Sequence, residues 1–186
     1  MILAAGCSSR MDGAPKQTLV YKGKTLLRRA AETALQSHFE TVVVVLSGNC
    51  ENFSREIEDL PVQIVINENA KTGISSSIKT GLSALSVENS DAVIIMLCDQ
   101  PLVLSKTLQK LCDVFIQTGK PIVACEYENT FGVPALFARR FFPDLMNLSE
   151  DEGAKKIIKK YREQTEMVCC PEAGTDVDTL DDYQKL

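Results

Sequence analysis

The sequence opens with MILAAGCSSRMDGAPKQTL (residues 1–19), in which a short apolar run passes directly into a loop of small, polar and cationic residues. The run Met1–Ala4 predicts a short buried strand, and Ala5, Gly6 and Gly13 allow tight turns after it. Successive backbone N–H groups in such a loop form a concavity that suits anions. The stretch therefore indicates the first strand–loop–helix unit of an α/β fold, with an anion site in its loop.

Two cations in this loop indicate which anion it holds. Arg10 offers a planar guanidinium that matches phosphate, and Lys16 a compact positive charge, so together they suit a triphosphate. The loop is not a P-loop, because no Gly-Lys-Ser/Thr ends it, and it lacks the Gly-x-Gly-x-x-Gly of dinucleotide-binding folds. The alternative is an ordinary surface turn with solvated charges.

Beyond the first loop, buried apolar runs alternate with helical patterns along the whole chain, as in TVVVVL (residues 41–46) and AVIIML (residues 92–97). The predicted strands are 1–4, 41–46, 62–66, 92–97, 121–125, 133–137 and 166–170. The predicted helices are 26–35, capped by Thr25, then 51–58, 74–85, 105–116, 138–146, 152–161 and 179–186. This alternation predicts an α/β fold with a mostly parallel central sheet and helices on both faces, a three-layer Rossmann-like arrangement. We expect residues 1–186 to form a single domain.

Composition excludes several classes of function. The net charge of −5 argues against nucleic acid as a partner, and no apolar run approaches the length of a membrane span. Seven cysteines without a CxxC pair favour reduced thiols in a cytoplasmic protein without a signal peptide, with Cys98 and Cys125 in the core. His38 is the only histidine, which nearly excludes Ser-His-Asp and Cys-His enzymes.

In an open α/β sheet, ligands bind beyond the carboxyl ends of the strands, so the residues that follow each strand are the candidate site. Ser75, Ser76 and Ser77 open a helix after one strand, where N–H groups and hydroxyls suit anions or polar ring edges. Simple capping by one serine is the alternative.

Acidic residues follow two other strands. Asp99 ends the buried strand 92–97, in the position expected of a Mg²⁺ ligand beside bound phosphates, although Asp-Gln-Pro is also a plain turn. Asp176 and Asp178 follow the last predicted strand and are candidates for the second ligand. Alternatively, Asp178 or Thr179 is the N-cap of the final helix.

These segments resemble the GT-A-like nucleotidyltransferases, and within them the molybdenum cofactor cytidylyltransferases. The resemblance spans nearly the whole chain, in order, and the opening loop is its most specific part. The matching segments are LAAGCSSRM (3–11), PKQ (15–17), GISSSIKTGL (73–82), DQPL (99–102), GVPALF (132–137), DEGAK (151–155) and DVDT (176–179).

The resemblance implies that a terminal phosphate of molybdopterin attacks the α-phosphorus of CTP, releasing pyrophosphate. Ala5 favours CTP, because the guanylyltransferases have Gly at this position. Arg10, Lys16 and Asp99 are then the catalytic residues, Mg²⁺ is the cofactor, and Asp99, Asp176 and Asp178 are its ligands. The nucleotide-binding residues implied are Leu3, Ala4, Ala5, Gly6, Ser8, Ser9, Arg10, Lys16, Ser75, Ser76 and Ser77.

Three positions depart from the family pattern. Asp12 lengthens the first loop, Val133 replaces a His, and Leu180 replaces a common Pro. They leave open another phosphorylated acceptor, GTP as donor, or a non-catalytic chaperone that delivers the cofactor to a molybdenum hydroxylase. A hydroxylase that receives the product is also the partner implied for the enzyme.

Overall fold

A computed structural model describes residues 1–6, 15–48, 51–85 and 90–186 of the chain. The strands are β1 (Ile2–Leu3), β2 (Val20–Tyr21), β3 (Lys24–Thr25), β4 (Val43–Ser47), β5 (Gln63–Asn67), β6 (Ala92–Leu97), β7 (Ile122–Tyr127), β8 (Thr130–Ala138) and β9 (Thr165–Cys169). The α-helices are α1 (Leu26–Leu35), α2 (Glu51–Ser54), α3 (Ile74–Ala84), α4 (Ser105–Thr118), α5 (Phe142–Met146), α6 (Ala154–Lys160) and α7 (Leu180–Gln184).

Seven of these strands form one sheet in the order β5-β4-β1-β6-β8-β7-β9. The pairs of β1 with β4 and β6, of β4 with β5 and of β7 with β9 are parallel. Only β8 runs against its neighbours, pairing antiparallel with β6 and β7. The mostly parallel sheet is confirmed, and the carboxyl ends of β1, β5 and β6 meet at one edge.

The side chains of β4 show why the sheet lies between two helical layers. Residues 43–46 are fully buried, and alternate side chains enter opposite clusters. Val44 and Leu46 pack with apolar residues of α1 and α4, whereas Val43 and Val45 pack with those of α3, α5 and α6. Both faces of the sheet are thus covered, which is why its strands are continuously apolar.

Local signals fix several boundaries. The Thr25 hydroxyl accepts the Arg28 N–H at 3.3 Å, so the predicted cap of α1 is confirmed. Gly119 ends α4 with φ of 66°, in the left-handed region that glycine adopts readily.

Cys98 and Cys125 are buried, as predicted. Within the described residues, no helix has the length and apolarity needed to cross a bilayer.

The strand β8 begins earlier than predicted, at Thr130, and continues to Ala138. Its register with β7 shifts between Ala124 and Cys125, opposite Val133 and Pro134. Such a bulge accommodates a proline, which has no N–H to donate to a neighbouring strand. The helix predicted over 138–146 is wrong at Ala138, which belongs to β8; a 3₁₀ helix follows at Arg139–Phe141, and α5 begins at Phe142.

Two further differences are local. The hairpin of β2 and β3 was not predicted, although Lys22 and Gly23 at its turn have φ of 50° and 79°, the pattern of a two-residue hairpin turn. The helix predicted over 51–58 ends at Ser54, and residues beyond it form turns.

Candidate active site

An ion-paired cluster lies at the carboxyl edge of the sheet. The Nζ of Lys16 donates to Oδ2 of Asp99 at 2.5 Å and to Oδ1 of Asp178 at 2.9 Å. Asp99 follows β6, whereas Lys16 begins a short 3₁₀ helix after the first loop. Lys16 and Asp99 lie far apart in sequence, and parallel pairing of β1 with β6 brings their segments to one edge.

The protonation of this cluster follows from its surroundings. Burial of Lys16 opposes its charged form, but the carboxylates of Asp99 and Asp178 outweigh that effect and raise the pKa of Lys16. Asp176 as a whole residue is exposed, yet neighbouring protein atoms displace part of the water around its carboxyl group. That loss, with repulsion from Asp99, raises the pKa of Asp176 to about 6. Burial and the Asp99 charge also raise the pKa of Cys98, so this thiol stays protonated.

A backbone hydrogen bond places the acidic segment beside Asp99. The Val177 N–H donates to the Asp99 carbonyl at 2.9 Å, and the Val177 side chain is fully buried. Asp176 and Asp178, on either side of Val177, are therefore held at the rim of the site. Asp178 is not the cap of α7, because Thr179 and Asp182 form the capping box of that helix.

A cavity of about 320 Å³ lies next to this cluster, and we call it the edge cavity. Seven of the residues predicted from the sequence line it: Leu3, Ala4, Ala5, Gly6, Lys16, Ser77 and Asp99. Ser75, Ser76, Asp176 and Asp178 are not among its lining residues. Ser8, Ser9 and Arg10 lie outside the described residues.

Gln17 fixes the chain that forms one wall of the edge cavity. Its side chain is 2% exposed, and its Nε2 donates to the carbonyls of Ala4 and Gly6 at 2.8 and 3.0 Å. Both hydrogens of the amide are thus used to hold Ala4 and Gly6 at the end of β1. No role was assigned to Gln17 from the sequence, although it lies beside Lys16 in the PKQ segment that matches the family.

The three serines do not cap α3 by a side-chain hydrogen bond to its first turn. Instead, the Nδ2 of Asn67, at the end of β5, donates to the hydroxyls of Ser76 and Ser77 at 2.8 and 3.0 Å. The Ser75 N–H donates to the Glu150 carbonyl at 3.1 Å. The start of α3 is therefore fastened to β5 and to the loop before α6, with Ser77 facing the edge cavity.

Gly73 makes that fastening possible. Its φ is 107°, and a Cβ at this position would lie 2.3 Å from the Glu150 carbonyl oxygen. Only glycine permits both the backbone conformation and the close approach. The approach brings Asp151 to the wall of the edge cavity. Lys71 lines the same cavity from the 3₁₀ turn before Gly73. Neither Lys71 nor Asp151 was assigned to the nucleotide site from the sequence.

The cluster suits a hard divalent cation bound together with a ligand. Oδ1 of Asp99 is buried and has no hydrogen-bond partner among the described residues, although carboxylate oxygens seek one. No group of three or more His, Cys, Asp or Glu in the described ranges is arranged to hold a metal by itself. One or two carboxylates completed by ligand phosphates and water is the usual arrangement for Mg²⁺.

Comparison with known proteins assigns the family of this fold and site. A sequence profile described as the MobA-like NTP transferase domain matches residues 1–165. The chain belongs to this family. Residues 1–165 of the MobA-like chain include the first six strands of the large sheet in chain order, the first residue of β9, and both Lys16 and Asp99.

Two curated relatives match the MobA-like chain over its full length. Nicotine blue oxidoreductase of Paenarthrobacter nicotinovorans is 29% identical, over all of this chain and 94% of its own. Purine catabolism protein PucB of Bacillus subtilis is 27% identical over the same shares. The two names refer to different processes, so they do not define one substrate for the MobA-like chain.

Among solved structures, Rv0371c of Mycobacterium tuberculosis superposes with a TM-score of 0.85 at 30% identity, covering 99% of this chain and 94% of its own. Its complex with manganese has a TM-score of 0.82 at 28% identity, covering 100% and 95%. A protein of this fold therefore binds a divalent metal.

Proposed function

We propose that the chain is a metal-dependent nucleotidyltransferase that transfers the cytidylyl group of CTP to a terminal phosphate of molybdopterin. The observation that supports this most directly is the pairing of Lys16 with both Asp99 and Asp178, since Lys16 and Asp99 line the edge cavity. A cation and two carboxylates at one point suit a ligand that combines phosphates with a metal ion. Membership of the MobA-like family supports the same reaction class.

The reaction asks for alignment and charge neutralisation more than for proton transfer. An oxygen of the acceptor phosphate forms a bond to the α-phosphorus of CTP while the bond to the β-phosphate oxygen breaks. Pyrophosphate leaves with that electron pair. The acceptor phosphate is already ionised and nucleophilic, so no side-chain base is required. Catalysis then depends on holding the two phosphates together and stabilising the charge that develops.

We assign the roles within the site as follows. Asp99, with Asp176 or Asp178, would hold Mg²⁺, which when bound neutralises charge on the α-phosphate and pyrophosphate. Lys16, which is held between the carboxylates of Asp99 and Asp178, would donate to phosphate oxygens. Arg10 is proposed to hold the triphosphate from the first loop.

The rest of the edge cavity is proposed to hold the nucleoside. Ala5 and Gly6 on one wall and Ser77 on the other would face the base and sugar. The remaining residues proposed to bind nucleotide are Leu3, Ala4, Ser8, Ser9, Ser75 and Ser76. Ala5 supports CTP over GTP, because the guanylyltransferases that the sequence resembles have Gly at this position. Delivery of the product to a molybdenum hydroxylase in the cytoplasm completes the proposal.

Nucleotide choice is tested by measuring thermal stability with each of the four nucleoside triphosphates and Mg²⁺ or Mn²⁺. A preferred ligand at 100 times its Kd raises the free energy of unfolding by about 2.7 kcal/mol. We expect the largest rise with CTP. NADH and NADPH belong in the panel, because one relative is named as an oxidoreductase. Oxidation of either by the chain, without pyrophosphate release, would replace the proposal.

Turnover is tested by pyrophosphate release from CTP and molybdopterin with Asp99→Asn. We expect kcat to fall about 10²-fold or more, because a group that stabilises the transition state is lost, while CTP still binds. Asp113→Asn, on the exposed face of α4, is the matched control and should leave kcat unchanged. Strong CTP binding with no pyrophosphate from any acceptor would favour a chaperone instead.

A further inference from the structure

A buried amide directly follows the residue proposed to hold the metal. Gln100 comes after Asp99 in the turn beyond β6, and it is 4% exposed. Its Nε2 donates to the Ala173 carbonyl at 2.9 Å and to the Val133 carbonyl at 3.2 Å. Carbonyl oxygens can accept a hydrogen bond but cannot donate one, so the amide nitrogen must be the atom that faces them. Gln100 therefore joins the end of β6 to β8 and to the 3₁₀ helix Pro171–Gly174.

That 3₁₀ helix leads to the acidic residues of the site. The Cys170 N–H, before the helix, donates to the Glu126 carbonyl at 2.9 Å, and the Val177 N–H, after it, donates to the Asp99 carbonyl at 2.9 Å. Between these two backbone hydrogen bonds, the Gln100 amide holds the Ala173 carbonyl. The path of the chain that carries Asp176 is thus held at its midpoint by a side chain from the turn of Asp99.

The Gln100 amide also contacts the carboxyl group of Asp176. Burial and the Asp99 charge raise the pKa of Asp176, and a hydrogen bond from the Gln100 side chain opposes them by favouring the charged form. A neutral donor orients a carboxylate without supplying a positive charge to it. Such a carboxylate keeps its negative charge for a cation.

The arrangement of Gln100 is unfavourable for stability alone. With its nitrogen turned to the carbonyls, the Gln100 Oε1 is buried and has no hydrogen-bond partner among the described residues. A buried carbonyl without a partner destabilises a fold, and an apolar side chain of the same length would avoid that loss. The two hydrogen bonds of the nitrogen offset it, so we expect the amide to contribute little net stability. What an apolar residue could not supply is the hold on Ala173 and Asp176.

We propose that Gln100 is a positioning residue, which holds the Asp176 carboxylate at the distance from Asp99 that allows one divalent cation to bind both. This rests on the proposed function, in which these carboxylates hold the metal. Gln100 acts through Asp176 and has no contact of its own with the metal or the substrates. Loss of a hydrogen-bond partner of a metal-binding side chain typically weakens metal binding by about 10–100-fold.

The inference is tested by titrating the protein with Mn²⁺ alone and measuring the electron paramagnetic resonance signal of free Mn²⁺. Gln100→Met keeps the length of the side chain and removes both donors. We expect the Kd for Mn²⁺ to rise about tenfold, while the urea midpoint stays the same because the unsatisfied oxygen is also removed. Gln117→Met, on the exposed face of α4, is the matched control and should change neither quantity.

A purely structural role for Gln100 predicts a different result. Gln100→Met would then lower the urea midpoint and leave the affinity for Mn²⁺ unchanged, and this outcome would overturn the inference. A natural chain that binds no Mn²⁺ would overturn it as well.

A double substitution tests whether Gln100 acts through Asp176. Asp176→Asn alone should weaken Mn²⁺ binding. If Gln100 serves to hold that carboxylate, adding Gln100→Met to Asp176→Asn should raise the Kd by no more than about twofold further. Independent effects would multiply instead, and a multiplied loss would contradict the inference.

A second variant keeps the proposal testable if Gln100→Met alters the fold. Gln100→Asn retains the amide but withdraws it by one methylene, so that it cannot reach the Ala173 carbonyl and the Asp176 carboxyl together. We expect about the same loss of Mn²⁺ affinity. Natural affinity in a folded Gln100→Asn protein would refute the positioning role.

The inference and the proposed function can fail separately. Binding of Mn²⁺ that depends on Gln100, without pyrophosphate release from any acceptor, would contradict the function and leave the positioning role standing. Pyrophosphate release from CTP and molybdopterin whose dependence on Mn²⁺ concentration is unaltered by Gln100→Met would contradict the positioning role alone.

Discussion

The contact between Gly73 and the loop before α6 can be tested by Gly73→Ala, which adds a single methyl group. Gly73 has φ of 107°, and a Cβ there would lie 2.3 Å from the Glu150 carbonyl oxygen and 2.7 Å from the Asp151 nitrogen. These atoms belong to the backbone and cannot rotate away, so Gly73→Ala forces the loop to move. The move removes the hydrogen bond from the Ser75 N–H to Glu150 and displaces Asp151 from the wall of the edge cavity.

The expected cost has two parts. A non-glycine residue in this backbone region costs about 1–3 kcal/mol, and loss of the Ser75 hydrogen bond adds about 1 kcal/mol. Gly73→Ala should therefore lower the free energy of unfolding by about 3 kcal/mol and weaken CTP binding. Urea denaturation measures the first effect, and calorimetry with CTP and Mn²⁺ measures the second.

Gly119→Ala is the matched control. Gly119 has φ of 66°, but nothing lies within 4 Å of the Cβ that alanine would add. Its cost should be the backbone strain alone, about 1–2 kcal/mol, with CTP affinity unchanged. If Gly73→Ala costs no more than Gly119→Ala and leaves CTP affinity intact, then the loop does not depend on this contact and the reasoning is refuted.

Two further predictions concern a helix cap and a titrating carboxyl. Thr25→Ala should lower the free energy of unfolding by about 1 kcal/mol, measured in urea, because the Arg28 N–H loses its acceptor; Thr25→Ser should restore most of it, and an unchanged stability would contradict the cap. The folded protein binds a proton at Asp176 more readily than the unfolded chain, since its pKa is raised from 3.8 to about 6. Asp176 therefore lowers the free energy of unfolding progressively as pH rises from about 4 through 6. Asp176→Asn should be more stable than the natural chain at pH 7 and equal to it at pH 3, and the Mn²⁺ affinity of the natural chain should decline below pH 6. A stability difference between the two proteins that does not change with pH would show that Asp176 has an ordinary pKa.

The core of the site could be predicted because its signals are local. The apolar run before Asp99 predicts a buried parallel strand, and the ends of such strands form one edge. That reasoning placed Lys16 and Asp99 together, and they form an ion pair. Lys71 lies in the segment that follows β5, where ligand-binding residues are expected, but no role was assigned to it. Asp151 was missed as a wall residue, because it reaches the cavity through the approach of the loop before α6 to Gly73. The glycine that permits the approach looks like any helix-capping glycine in sequence.

The errors in the fold have the same origin. The helix predicted over 138–146 begins late because β8 continues through Ala138, and that length is set by pairing with β6 and β7. The strand predicted over 133–137 is shorter than β8, in which the bulge opposite Ala124 and Cys125 accommodates Pro134. Periodicity within one segment reports its own burial but not the register of a partner strand.

The bond of Lys16 to Asp99 and Asp178 has a consequence for how the site fills. The ammonium group already supplies one positive charge to two carboxylates, so they are held close without mutual repulsion. In the proposed reaction, Asp99 with Asp176 or Asp178 would hold the metal of a magnesium–nucleotide complex, and Lys16 would then be available to its phosphate oxygens. Such a complex would bring its own cation to the carboxylates, whereas a nucleotide without its metal would have to share Lys16 with both of them and would gain the least from entering.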